Sequence, residues 1–384
     1  MYARGTNSAQ LAWALLARVL SLNVAKPAAK TGANPRMTAA LATYGLLWLI
    51  LRGLPLPAAA ASPVAGDSAC TACHIKQTKT YRTTPMADAL EPVDACATLK
   101  EHPDLSFQEG SYQSRIVRQG DRSVLTVKSG AETLTVRLLW AFGRGRAGQT
   151  YVFEYEGSFY ESRASFFGEL RALDLTMGAA NSKPQTILEA AGRHMSGMES
   201  RECFGCHSNG GVYEGKLHLE SLVPGVGCQS CHGPAEKHTE AVRAGNPVAA
   251  ELPHLGALSA QDMADLCGRC HRTWSQISLS GPRGVNNVRF QPYRLVNSKC
   301  FDPEDRRIRC TACHDPHSEV DTNLAAYDAK CTACHATALH TKVCRVAKSN
   351  CVGCHMPKID LPGAHAKFTD HQIRIVRAGD PYPN

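Results

Sequence analysis

Alternating apolar and polar positions mark three stretches in the middle of the chain. SVLTVKS (123–129), ETLTVRLLWAF (132–142) and TYVFEYEGSFYES (150–162) are rich in Val, Thr, Tyr and Phe. Those side chains suit a pleated, half-buried surface. SGAE and GRGRAGQ between them supply turn residues. The pattern predicts an antiparallel β-meander over 105–167. After it the period changes to a helical one. TILEAAGRHMSGM (186–198) and SAQDMADLCGRCHRTW (259–274) read as helices, the second with Ser259 as candidate N-cap. The rest of the C-terminal half has few strand patterns, and Gly and Pro break it into short pieces.

The longest apolar run lies near the N-terminus. Within 37–63 an apolar core (41–51) is preceded by Arg36 and followed by Pro55, Pro57 and the small residues 58–61. Ala59-x-Ala61 fits the cleavage rule of an export signal. Arg52 and the prolines limit the run to about fifteen residues, short of the roughly 20 a membrane span needs. The expectation is an exported chain, periplasmic or at the cell surface, with Met37 as its start. An uncleaved signal, or docking to a membrane partner, would be its routes to a membrane. Charge then changes meaning. The formal net charge is +8, but residues 1–61 hold six basic side chains and no acidic one, so the remainder has 36 basic and 34 acidic residues. That balance, without a basic stripe, argues against nucleic acid as a partner.

Cysteine carries the chemistry. Cys-x-x-Cys-His occurs seven times: Cys70/Cys73/His74, Cys203/Cys206/His207, Cys228/Cys231/His232, Cys267/Cys270/His271, Cys310/Cys313/His314, Cys331/Cys334/His335 and Cys351/Cys354/His355. Thioether bonds to two pyrroles need cysteines three apart, and the following His then lies under the iron as its proximal ligand. A zinc ribbon also uses Cys-x-x-Cys pairs, but it does not need His directly after the second Cys each time. The motifs therefore predict seven c-type haems, numbered here in chain order. Of the three cysteines left over, Cys300 and Cys344 are the expected disulfide and Cys96 the unpaired thiol.

Each iron has a second axial position. His gives it a low potential, Met raises it, and an empty site admits substrate. Sixteen His less seven proximal ones leave nine. His238 (in CHGPAEKH), His317 (in CHDPH) and His340 sit too close to His232, His314 and His335 to reach round their own porphyrins, so they should serve neighbouring haems. His365 and His371, beyond the last motif, would close back on earlier haems. His194, His218 and His254 are further candidates, with His102 behind them. Met86, in YRTTPMADAL, is a candidate ligand at haem 1.

CQSCHGPAEKH, CHDPH, and CHMPK followed by His365 and His371 resemble the doubled Cys-x-x-Cys-His multihaem c-type cytochromes, among them relatives of the tetrahaem cytochrome c of ammonia oxidisers. The lone first motif with Tyr81 and TPM, then a β-rich stretch, is similar to larger cytochromes of that group. The resemblance spans roughly 66–375 and departs from the tetrahaem pattern in having seven motifs. It implies a mostly α/irregular cytochrome fold organised by haem, with closely stacked haems and mainly bis-His irons. Four segments follow: an extension plus signal (1–61), a haem 1 segment (62–104), a β-rich insert (105–167) and a six-haem domain (168–384). The insert would cover haem 1 or dock a partner. The expected function is electron transfer between redox partner proteins without catalysis. The alternative is a multihaem oxidoreductase with one open haem, acting on a small nitrogen or sulfur compound.

Overall fold

The computed structural model describes residues 67–246, 252–336, 344 and 346–383. The export-signal reading and His340 lie outside the described residues. Among those residues, no helix is long and apolar enough to cross a membrane.

The chain starts with two short helices, α1 (Ser68–Thr71) and α2 (Ile75–Tyr81), then strand β1 (Leu90–Pro92) and helix α3 (Ala97–Glu101). Strands β2 (Asp104–Glu109), β3 (Tyr112–Gln119), β4 (Arg122–Ser129), β5 (Glu132–Phe142), β6 (Thr150–Tyr155) and β7 (Ser158–Ser162) follow as a meander. The hairpin strands β8 (Ala164–Phe167) and β9 (Ala172–Leu175) come next, then helix α4 (Ile187–Ala191) and strand β10 (Gly192–His194). The large sheet has the order β10-β7-β6-β5-β4-β3-β2, with β1 paired to the end of β5. All its pairs are antiparallel.

Turn chemistry explains why the meander is regular. Two-residue turns close β3–β4 and β4–β5, and each places a glycine, Gly120 or Gly130, at positive φ. Only glycine takes that backbone at little cost, and it matches the twist of the flanking strands. Alternation then decides the faces. Ile116, Leu125, Val127, Val136, Leu138 and Phe153 point to one side and are buried. Cys96 and Leu99 near α3, Ala190 and Ala191 of α4, and Phe166 and Leu173 of the β8–β9 hairpin cover them. The Cys96 thiol is fully buried in this core, 3.3 Å from Gln149 Oε1.

A register irregularity in β5 between Leu138 and Trp140 changes which side faces in. Leu138 and Ala141 are buried in the core, while Trp140 and Phe142 turn to the other side of the sheet.

Helices dominate beyond residue 196: α5 (Gly197–His207), α6 (Cys228–His232), α7 (Glu236–Arg243), α8 (Ala260–His271), α9 (Trp274–Ser280), α10 (Gln291–Val296), α11 (Cys310–Cys313), α12 (Ala325–His335) and α13 (Cys351–His355). A hairpin of Lys358–Leu361 with Ala366–Thr369 closes the chain. The two expected helices are each interrupted. Over 186–198 the chain forms α4, leaves it for β10, and restarts at Ser196, which caps α5 in a capping box with Glu199. Over 259–274, Ser259 caps α8 by accepting from the Asp262 amide at 3.1 Å. Arg272 then takes φ 64°, and α9 begins under its own Thr273–Gln276 box.

Candidate haem-binding sites

All seven motifs lie in or at the end of short helices. Cysteines three apart on a helix share a face, so each pair offers two thiols to one partner with the His just beyond. The two thiols of a pair differ in exposure. The first cysteine of every motif is half-buried, whereas the second is exposed in five of them: Cys73, Cys231, Cys270, Cys313 and Cys354. None is enclosed in the protein core as Cys96 is, so every pair is within reach of a porphyrin edge. The protein alone does not enclose Cys354 of motif 7 and its four counterparts, and a thioether-bound haem would cover them.

Two proximal rings have their tautomer set by the fold. His207 Nδ1 donates to the Ala89 carbonyl at 2.8 Å, and His355 Nδ1 donates to the Arg374 carbonyl at 2.9 Å. A proton on Nδ1 leaves the Nε2 lone pair for a metal. Burial lowers the pKa of His207, His271 and His314. It does the same for His232, with help from the nearby His317 and His74. These rings are held neutral, the form that ligates.

Three further imidazoles face proximal ones. His238 faces His74 with ring centres 6.3 Å apart and planes at 29°. His317 faces His232 at 6.0 Å and 11°, and His371 faces His314 at 6.1 Å and 44°. Metal–nitrogen bonds of about 2 Å, plus about 1 Å from nitrogen to ring centre, put two axial imidazoles roughly 6 Å apart across one metal. The residues present therefore fit axially ligated haem. His371 is prepared like His207: its Nδ1 donates to the Thr369 carbonyl at 2.9 Å, and burial lowers its pKa to about 4. Among the described residues, no group of three His, Cys, Asp or Glu side chains converges as a zinc site would require.

Other candidates have different surroundings. His365, at φ 47°, turns away from the motifs. Its Nε2 is 2.7 Å from Asp174 Oδ2, and its ring meets Phe167 at 4.7 Å. His371, six residues on, is the one that reaches a proximal ring. The half-buried Met86 is not the group opposite His74, since His238 holds that place. His194 is exposed beside Tyr160, and His254 is exposed at the start of a short turn. His102 packs on Phe166 in the sheet core. His218 stacks on Tyr213 at 3.5 Å, and its Nδ1 is 3.0 Å from Glu220 Oε1. Its Nε2 is buried and has no hydrogen-bond partner. Cys300 and Cys344 are exposed and not bonded to each other, and Cys300 lies beside Cys334 instead.

The sheet does not cover motif 1. Phe204 of α5, fully buried, is ringed by Phe142 at 5.1 Å, Trp140 at 5.8 Å and Phe159 at 5.8 Å. Phe142 also meets the His207 ring edge-on at 5.2 Å. The outward face created by the irregularity in β5 is thus the seat for motif 2.

Carboxylates absent from the sequence reading tie motifs together. Asp67, just before motif 1, accepts the Cys228 amide of motif 3 at 2.9 Å. Asp328 of α12 accepts the Asn350 and Cys351 amides at the start of α13, at 2.7 and 2.9 Å. Both satisfy open amides at a helix start. The Tyr81 hydroxyl donates to the Val226 carbonyl at 2.6 Å, a second tie between segments 1 and 3. Thiols of separate motifs also approach one another. Cys206 reaches Cys270, Cys267 reaches Cys310, and Cys331 reaches Cys351. With α11 packed on α12, motifs 2, 4, 5, 6 and 7 form a continuous series, and motif 3 approaches motif 4 through Cys231 and Cys267.

These features define a chain built to hold several covalently attached haems in close succession, and two likenesses agree. The family model "Cytochrome c554 and c-prime" matches residues 172–233, a stretch containing motifs 2 and 3. The multiheme cytochrome MtrA of Shewanella baltica (strain OS185) is 24% identical over 187 residues, 44% of this chain and 47% of the relative. The chain thus spans about half the length of that curated relative. No solved structure matches the chain. Both likenesses support a multihaem c-type cytochrome, and with it c-type haem as the cofactor.

Proposed function

We propose that this chain is an exported seven-haem c-type cytochrome that relays electrons between a donor and an acceptor protein. The three facing imidazole pairs carry this reading, because a site closed by two imidazoles leaves no position for a substrate. In it, His238, His317 and His371 are the second axial ligands of haems 1, 3 and 5. His218, with Nδ1 held by Glu220 and Nε2 buried and unpartnered, is a further axial donor. Bound haem supplies the one-electron chemistry. The chain supplies fixed, neutral imidazoles and short separations between attachment sites, which favour transfer from site to site.

Protein-film voltammetry of the fully loaded protein tests this. The expected result is a reversible, multi-electron envelope that nitrite and hydroxylamine leave unchanged. A catalytic current with either would replace the carrier reading with the open-haem oxidoreductase.

A further inference from the structure

Residues 369–374 run past two motifs at once. His371 faces His314 of motif 5, while the Arg374 carbonyl accepts from Nδ1 of His355 in motif 7 and the Arg374 amide donates to the His355 carbonyl at 3.2 Å. One short strap therefore sets both rings. Its anchor is an ion pair that none of this chemistry uses. Arg294 of α10 and Asp370 are both fully buried, joined by Nε–Oδ1 at 2.9 Å and Nη2–Oδ2 at 3.0 Å. Arg294 Nη1 donates to Asn287 Oδ1 at 3.1 Å and to the Pro383 carbonyl at 2.8 Å, and the guanidinium lies 4.6 Å over the Tyr382 ring. Asp370 also accepts from Arg374 Nη1 and from the Gln372 amide. The end of α10 adds a second hold. Ser298 Oγ donates to the His371 carbonyl at 3.2 Å and accepts from the Ile373 amide at 2.8 Å.

We infer that Arg294 is a positioning residue that sets the His371 imidazole toward the haem 5 iron and the Arg374 carbonyl toward His355 at haem 7. The inference rests on the reading of His371 as an axial ligand. Removing one member of a buried ion pair strands the other charge in an apolar site. With Arg294 gone, the Asp370 carboxylate must move toward water, and the residues either side of it move too. A displacement of about 1 Å is enough to spoil an axial bond whose supporting groups no longer hold it. Two haems should respond together though Arg294 touches neither attachment motif.

The test uses the fully loaded protein with Arg294→Met, Arg294→Lys and Ser298→Ala, and His371→Ala as reference. Haem content, carbon monoxide binding, spin state and the haem potentials are read in each. The inference predicts a new carbon-monoxide-reactive, high-spin population at one haem in Arg294→Met, a smaller one in Arg294→Lys, and a potential shift at a second haem. Ser298→Ala gives the same signature at lower amplitude and decides the matter if the Arg294 variants do not mature. Six-coordinate haems throughout, with only a lower melting temperature, would overturn the inference and leave Arg294 a staple for the tail. If His371→Ala itself leaves haem 5 six-coordinate, the axial reading fails instead.

Discussion

Replacing His238 with alanine should make one haem, and one only, bind carbon monoxide. His238 sits in the first turn of α7 with its ring 6.3 Å from that of His74. Its helix is fixed at the start, where the Ala235 amide donates to Gln229 Oε1 at 3.1 Å. Alanine there removes the facing nitrogen while leaving the thiols of Cys70 and Cys73 and the proximal His74 in place. Haem 1 should still attach, turn high-spin, and rise in potential because it has lost a strong donor. Reduced-minus-CO spectra measure the effect, and the expected amplitude is about one haem per chain. Met86→Leu is the matched control. It should leave the spectrum unchanged, whereas a CO-reactive haem in Met86→Leu and none in His238→Ala would return Met86 to the axial position.

Phe204→Ala should loosen the sheet from motif 2. Phe204 is fully buried among Trp140, Phe142 and Phe159. Emptying such a site costs about 3–5 kcal/mol, since removing a large aromatic side chain leaves a cavity its neighbours fill only partly. The same aromatic wall bears on His207 through Phe142, and the Ala89 carbonyl that fixes the His207 tautomer directly precedes β1. The urea midpoint of the loaded protein should fall, and the absorption band of one haem should change with it. A normal midpoint and spectrum would mean that the sheet and motif 2 do not support each other.

The sequence made some of this legible and left the rest dark, for physical reasons. Stretches 123–129, 132–142 and 150–162 were readable because alternation and turn glycines act locally, and β4 to β7 lie across them. Cys-x-x-Cys-His is local as well. The short strand at Gly192–His194 was hidden inside a helical pattern, because it exists only by pairing with β7. Spacing indicated that His238 and His317 should not serve their nearest motif, yet it could not say that they face His74 and His232. His365 and His371 had the same context, and a positive φ at one of them separates their fates. Asp67, Asp328 and the Arg294–Asp370 pair act across tens of residues and carry no local signal. The sheet's seat on motif 2 depends on one register irregularity in β5, which no alternation count reveals.

The central claim is that each motif carries a haem, and intact-mass spectrometry of the native exported protein measures it most directly. The account predicts seven covalently attached haems on every chain. A fully matured chain with fewer haems, or with motifs that carry zinc in place of haem, would contradict it.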